Sequence, residues 1–321
     1  LYEKTHRENT MKTTAAHQKV AVTGASGFVG RYLVKELLAA GKQVVAVVRN
    51  PNKVPELKRA DVELRVADLS DTAAMTQAFS GCDAVIANAG QVSFNHDYDA
   101  LIRQNLEGTK NTLQACKDAG VVRVVAMSSA SVYQKVFAER AVDETAALRT
   151  AQDKRHRFSI YSISKAMAEQ EAWELAQAWS LQLTTLRPYV IFGAFDQNSF
   201  SYWFDWLMRW PVVTPYPTRL NLPMVYAGDL ARAAILSLDN TSTVGEAFNV
   251  GGDNHDFWAF YDAWVAANGN HPFFRLPLPV PFKRLLDDSK MRRLTAWQPR
   301  PLHETLQETI LAQQNNGHFH E

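Results

Sequence analysis

Val20-Ala21-Val22-Thr23-Gly24-Ala25-Ser26-Gly27-Phe28-Val29-Gly30 is the stretch that decides how this chain folds. It begins with a short apolar run that does not alternate with polar residues, the mark of a strand buried on both faces. A glycine loop follows, and then Val29, Leu33 and Leu37 recur at helix spacing until Gly41 stops the helix. The loop spacing is GxxGxxG. Gly24 permits a tight turn, Gly27 lets backbone N–H groups approach a pyrophosphate, and Gly30 lets the helix pack close to the strand. The helix N-terminus then turns its unpaired donors and its dipole toward the anion. Gly24, Ser26, Gly27, Phe28, Val29 and Gly30 are therefore candidate dinucleotide-binding residues.

Outward from this unit, short runs rich in Val, Ile and Ala alternate with helical patterns. Strands are expected at Val20–Thr23, Val44–Val48, Glu63–Ala67, Ala84–Ala87, Val122–Met127, Leu183–Leu186 and Ala247–Val250. Such alternation implies an α/β fold, a doubly wound parallel sheet of the Rossmann type. The composition shifts after Pro188. Residues 195–223 are rich in aromatic residues and proline, and Pro272, Pro277, Pro279 and Pro281 form a second cluster. The expected division is a dinucleotide-binding domain over 12–190 with 224–252, and a smaller, discontinuous C-terminal substrate lobe over 191–223 with 253–313. The polar stretches 1–11 and 314–321 are expected to be flexible tails, with Met11 as the natural start.

Composition narrows the function. Of 321 residues, Lys and Arg number 34 and Asp and Glu 33, so the net charge is +1 and no basic excess exists for a phosphate backbone. Nucleic acid is not an expected partner. No run of about 18 apolar residues appears, and the first residues lack the apolar segment of a secretory signal, so a cytoplasmic protein without membrane contact is expected. Two cysteines, Cys82 and Cys116, read as small buried hydrophobes. The nine histidines show no metal-ligand spacing, and no metal is expected.

The residues ending each strand supply the rest of the nucleotide site. Where an acid would bind the ribose 2′-hydroxyl of NAD, this chain has Arg49, with Lys53 nearby. A guanidinium suits a 2′-phosphate, so NADP(H) is the preferred cofactor, with NAD(H) possible; the other reading of Arg49 is a solvated loop charge. Asp68-Leu69 follows the third strand. Asp68 is either an acceptor for an adenine amine or the N-cap of a helix over Asp71–Phe79. Asn88-Ala89-Gly90 ends the fourth strand, at the edge where open α/β sheets hold ligands.

The chemistry sits further on. Tyr161-Ser162-Ile163-Ser164-Lys165 opens a helix that runs to about Trp179. Positions i and i+4 share a helix face, so the Tyr161 hydroxyl and the Lys165 ammonium can enter one site. A free tyrosine titrates near 10, and a nearby cation favours phenolate. Lowering that value by about 3 units needs roughly 4 kcal/mol, which a lysine, a nicotinamide charge and a dry pocket together could supply. Tyr161 would then exchange a proton with a substrate oxygen as hydride moves. The fifth strand ends Met127-Ser128-Ser129-Ala130-Ser131-Val132-Tyr133, which places hydroxyls beside that oxygen.

With these pieces in this order, the chain resembles an extended-type short-chain dehydrogenase/reductase of the NAD-dependent epimerase/dehydratase superfamily. Further matching segments are Asn105-Leu106-Glu107-Gly108-Thr109, Leu186-Arg187-Pro188, Val225 to Ala231, Phe248 to Gly252, and Ser289-Lys290 with Leu294, Trp297 and Pro299. The resemblance implies Ser129 as the catalytic hydroxyl and Tyr161 as the acid/base. It implies that Lys165 binds the nicotinamide ribose and lowers the tyrosine pKa. It implies that Asn105 supports the strand–helix core and is a candidate for a water relay. Pro188 joins the cofactor residues, and a homodimer through helices around 98–119 and 161–179 is implied. Ala166, Ala168, Ala172 and Ala176 are small enough for that contact, and intrachain packing explains them equally well. Gln134 stands where the family has a glycine, and Asn88-Ala89-Gly90 where extended members carry a histidine motif.

Within the family, Arg49-Asn50-Pro51 resembles dihydroflavonol-reductase-like and hydroxysteroid-dehydrogenase-like members, which reduce carbonyls with NADPH. Nucleotide-sugar epimerases commonly carry an Arg where this chain has Leu222, though Arg219 could substitute. Dehydratases place acids after the catalytic Thr, where Ala130 and Ser131 stand here. The aromatic run Phe195–Trp210 suits an apolar or ring-bearing small molecule, while Trp203, Trp206 and Trp210 at helix spacing equally suit a core. The expected activity is NADP(H)-dependent interconversion of a carbonyl and a secondary alcohol. The alternatives are an NAD-dependent sugar epimerase and, against the intact Tyr161–Lys165 pair, an NmrA-like nucleotide-sensing protein.

Overall fold

The computed structural model describes residues 18–90, 98–134, 140–153, 159–196, 213–255, 257–268 and 274–314. The tails expected at 1–11 and 314–321, and Trp203, Trp206 and Trp210, lie outside the described residues, except Gln314, which ends the helix Leu302–Gln314. Six strands come first: β1 (Lys19–Thr23), β2 (Gln43–Val48), β3 (Val62–Val66), β4 (Ala84–Ala87), β5 (Arg123–Met127) and β6 (Gln182–Pro188). Two short strands, β7 (Val190–Phe192) and β9 (Met224–Tyr226), pair with each other, and β8 (Val213–Asn221) falls between them. β10 (Ala247–Val250) and β11 (Phe274–Lys283) follow. Seven strands form one sheet in the order β10-β6-β5-β4-β1-β2-β3, parallel throughout. The order reverses between β1 and β4, which opens a crevice at their carboxyl ends.

The strands alternate their side chains between two cores, one on each face of the sheet. Val20, Val22, Val44, Ala46, Val48, Ala84 and Ile86 point to one, where α1 (Phe28–Ala39) and the helix Ala227–Asp239 lie. Ala21, Val45, Val47, Val85 and Val124 point to the other, against α2 (Thr72–Phe79), α4 (Gly108–Asp118) and α5 (Ile160–Trp179). Between α2 and α4 the short α3 (Tyr98–Ile102) runs into a π-helical turn, Arg103–Glu107. Both cysteines are free thiols buried in the second core. Gly41 takes φ +71° just past α1, as its role as helix stop requires.

Strand limits moved by a residue or two. Val122, expected in β5, is half exposed and precedes the ladder. β6 runs on to Pro188 because Arg187 and Pro188 pair with Asn249 and Val250. The proline-rich strands β8 and β11 were not anticipated. They form a separate parallel pair in which Pro215 and Pro217, and Pro277 and Pro279, recur at alternate positions. Alternation puts every missing N–H on one side of its strand, and a strand in a two-stranded sheet bonds on one side only. The small-residue stripe of α5 is used within the chain. Ala166, Ala168, Ala172 and Ala176 are all buried, the last two among Leu113, Cys116 and Leu183. Among the described residues, no helix is long and apolar enough to cross a membrane.

One buried ion pair ties α5 to the β5–β6–β10 edge of the sheet. Arg187, on β6, holds the Glu169 carboxylate of α5 through Nε at 3.0 and 3.1 Å and through Nη2. Its Nη1 donates to the Tyr133 hydroxyl at 2.9 Å, and that hydroxyl donates to Asn249 Oδ1 on β10 at 2.7 Å. Removing one partner of a buried pair strands the other charge. Arg187→Leu should cost about 3–5 kcal/mol by urea denaturation, and Arg187→Leu with Glu169→Leu should cost less than the single change. A double variant no more stable than the single one would contradict this reading.

Candidate active site

The crevice is built from backbone first. Gly24 adopts φ +64°, and a side chain there would press on Ala89 at 3.0 Å. At Gly30 an added Cβ would fall 2.1 Å from the Gly24 carbonyl oxygen, so only glycine lets α1 start this close to the strand. Gly27 N–H donates to the Gly24 carbonyl at 2.9 Å and closes the turn. No side chain caps the N-terminus of α1 at Gly27, which leaves first-turn donors for an anion. Thr23 Oγ1 accepts from the N–H groups of Asn88 and Ala89 at 3.1 and 3.0 Å, so the end of β4 is fastened to the glycine loop. Phe28 and Val29 are half-buried, and Phe28 meets Tyr32 edge to face. Ser26 accepts from Arg31 Nε through its carbonyl.

At the far end of the crevice, Arg49 and Lys53 are exposed just beyond β2, and neither makes a hydrogen bond or ion pair with a described residue. Asn50 Oδ1 caps the turn Pro51–Lys53 by accepting from Asn52 N–H. The helix-cap reading of Asp68 does not hold. The N-cap of α2 is Asp71, whose carboxylate accepts from Ala74 N–H at 2.9 Å. Asp68 Oδ1 instead accepts from Ser70 N–H and Oγ–H at 2.9 and 2.7 Å. These bonds, and then the charge of Arg49, hold its carboxyl below the usual range. Leu69 is pinned by its carbonyl, which accepts from Asn111 Nδ2 at 2.8 Å.

The catalytic candidates converge where β4, β5, β6 and α5 meet. Ser129 Oγ accepts from Ser131 N–H at 3.2 Å and from Ser131 Oγ–H at 2.9 Å, and it is hydrogen-bonded to the Tyr161 phenol. Lys165 Nζ donates to the Met127 carbonyl at 2.8 Å. Asn105, in the π-helical turn, donates through Nδ2 to Ser164 Oγ at 3.0 Å, and that hydroxyl donates to the Tyr161 carbonyl at 2.8 Å. A Cβ added to Gly90 would sit 3.6 Å from Asn105 Oδ1 and 3.7 Å from Lys165 Nζ, so all three residues border one space. Pro188 is buried at the end of β6. A π-turn inside a helix often marks a functional position, and here it delivers Asn105.

In the chain itself Tyr161 is pushed above the ordinary tyrosine value by burial, with the Ser129 hydrogen bond opposing. Lys165 is pushed down to about 8, also by burial, with Glu169 opposing. Lys165 directs its ammonium at the Met127 carbonyl, and burial sets the sign of the phenol's shift. Sequence reasoning also missed Glu169. It lies one helical turn beyond Lys165 on the same face, a signal available from the i, i+4 spacing. Ser128 Oγ, Arg187 and Trp173 Nε1 all donate to its carboxylate.

A lysine held below its unfolded value takes up its proton less readily in the folded chain. Between about 8 and the ordinary 10.5, the unfolded chain binds more protons, so Lys165 adds stability as pH rises through that window. The stability of wild type relative to Lys165→Met should therefore rise from pH 8 to pH 10 in urea denaturation. A flat difference would show that Lys165 is not desolvated.

Comparison with known proteins agrees with this geometry. The pattern of the family described as NAD dependent epimerase/dehydratase matches residues 20–251. Cinnamoyl-CoA reductase 1 of Oryza sativa subsp. japonica is 30% identical over 94% of this chain and 92% of its own length. Dihydroflavonol 4-reductase of Hordeum vulgare is 36% identical over 55% of this chain and 54% of its own. UDP-glucuronic acid 4-epimerase from Bacillus cereus, solved with NAD, shares the fold at TM-score 0.77 over 93% of this chain and 99% of that one, at 19% identity. The chain belongs to the NAD dependent epimerase/dehydratase family, the extended short-chain dehydrogenase/reductases.

Proposed function

We propose that this protein is an NADP(H)-dependent oxidoreductase that interconverts a carbonyl and a secondary alcohol on a small molecule. The observation that carries this reading is the convergence of Ser129, Tyr161, Lys165 and Asn105 beside the glycine crevice. The glycine loop and first turn of α1 would hold the dinucleotide pyrophosphate. Lys165 would bind the nicotinamide ribose, and Asn88, Ala89, Gly90 and Pro188 would border the cofactor. When bound, the cofactor supplies the hydride. Asp68 would accept from the adenine amine.

The chain's own part is proton management. Ser131 donates to Ser129, which leaves the Ser129 hydrogen free for the Tyr161 oxygen or the substrate oxygen. Tyr161, protonated in the chain itself, is in the correct state to give a proton to a carbonyl being reduced. In the oxidative direction it must lose that proton first, which burial opposes, so a cationic nicotinamide would be the group that reverses the balance.

Arg49 and Lys53, both exposed and neither in an ion pair with a described residue, support the phosphorylated cofactor. The reductase names of the sequence relatives support carbonyl reduction; the epimerase neighbours in structure support the fold.

NADPH absorbance followed with a panel of aldehydes, cyclic ketones and aryl ketones tests the reading. Stoichiometric consumption is expected, falling roughly 100- to 10,000-fold in Tyr161→Phe. In the same assay Arg49→Ala should raise the KM for NADPH and leave that for NADH unchanged. No consumption across the panel, with NAD retained on the purified protein, would favour the epimerase reading.

A further inference from the structure

Three arginines are buried among the described residues, and two of them are fully accounted for. Arg187 is paired with Glu169. Arg123 has no carboxylate but places its donors on the carbonyls of Leu238, Val124, Gln182 and Ser237 and on Thr243 Oγ1. Arg284, just beyond β11, is only 4% exposed and differs from both. One Nη2 bond reaches the Ala130 carbonyl at 2.9 Å, and the guanidinium lies over the Tyr189 ring at 3.7 Å. No described carboxylate pairs with it. A guanidinium carries five donors and never loses its charge in a protein; among the described residues Arg284 bonds the Ala130 carbonyl and the Tyr189 side chain, neither of which is an acid.

A second cation borders the same turn, Ala130–Gln134. Arg149 follows the Tyr133–Leu148 bridge, with its N–H on the Val132 carbonyl at 2.6 Å. Its Nη2 reaches the Gln134 carbonyl only at 3.5 Å, and its Nε is buried without a hydrogen-bond partner. Burial pushes Arg284 below the ordinary arginine value, Tyr189 opposes that, and the like charge of Arg149 adds to it. Both arginines bond carbonyls of one turn, Ala130 for Arg284 and Val132 and Gln134 for Arg149, with no described acid bonded to either, and an oxyanion at that turn would offset their like charge and satisfy the orphaned donor.

The position says which molecule brings that oxyanion. Ala130 is the neighbour of Ser129, and Tyr189 is the neighbour of Pro188, so the pair stands at the ends of β5 and β6. The pyrophosphate loop belongs to β1 and α1, on the other side of the switch point. We propose that Arg284 and Arg149 receive an oxyanion, carboxylate or phosphate, borne by the substrate whose oxygen meets Ser129 and Tyr161. This rests on the oxidoreductase reading for the word substrate, while the anion site itself does not.

The test therefore separates binding from turnover. Benzoate and inorganic phosphate are titrated calorimetrically into the full chain, with and without NADPH, at fixed ionic strength made up with chloride. The variants Arg284→Met and Arg149→Gln are titrated alongside. Saturable binding of at least one anion is expected, weaker by about thirty-fold in each folded variant. Should Arg284→Met fail to fold by circular dichroism, Arg149→Gln alone decides. In turnover, the kcat/KM ratio of 4-carboxybenzaldehyde to benzaldehyde should exceed one and fall in Arg149→Gln. Absence of saturable binding, or equal binding by wild type and Arg149→Gln, overturns the anion site whether or not NADPH is consumed. Arginine-dependent binding without consumption of NADPH on any carbonyl upholds the anion site and overturns the oxidoreductase reading instead.

Discussion

The Glu169 carboxylate is the fixed point on which the site depends. It is buried, and it receives donors from three different elements: Ser128 at the end of β5, Arg187 on β6, and Trp173 in its own helix. Helix α5 carries Tyr161 and Lys165, so whatever fixes its rotation fixes the proposed acid/base. A lone buried carboxylate would be costly, and a buried ion pair is a poor source of net stability. Its use here is geometric. It locks the helix of Tyr161 and Lys165 to the strand ends that present Ser129, and through Arg187 and Tyr133 it reaches Asn249 on the edge strand β10.

The same burial that makes the site rigid sets its electrostatics. Tyr161 rises and Lys165 falls for one reason, the cost of charge away from water. In this condition the phenol holds its proton, which suits reduction, and the ammonium is ready to lose charge. In the proposed reaction the chain thus supplies orientation and an acid. A dinucleotide would supply the positive charge that makes the reverse step feasible.

How much of this could be read from the sequence follows from which interactions are local. β1, the glycine loop and α1 form a contiguous unit, and each of Gly24, Gly27 and Gly30 has a steric reason that spacing alone conveys. The Tyr161–Lys165 pair depends only on helix period, and α5 ends at Trp179 as expected. What failed to show depends on contacts distant in the chain. Asp68 and Asp71 are both plausible caps by residue type, and only the backbone path selects Asp71. The prolines of β8 and β11 argue against strands until the two-stranded pairing is known. The alanines of α5 fit a partner's surface or this chain's own core, and only the fold shows Ala172 and Ala176 packed with Leu113 and Cys116. The sign of the Tyr161 shift required knowing how deeply the phenol sits. The Arg284–Arg149 pair joins residues far apart in sequence and had no local signal at all.

The central claim is that hydride passes directly between the nicotinamide and a substrate carbon while Tyr161 supplies the proton. Transfer of label tests it most directly. NADPH stereospecifically deuterated at C4 is incubated with the protein and an accepted carbonyl, and the alcohol is analysed by mass spectrometry. The account predicts one deuterium on the carbinol carbon from one of the two labelled faces of the cofactor, and none from the other. An alcohol that carries no deuterium from either labelled cofactor, formed at the same rate, would contradict it.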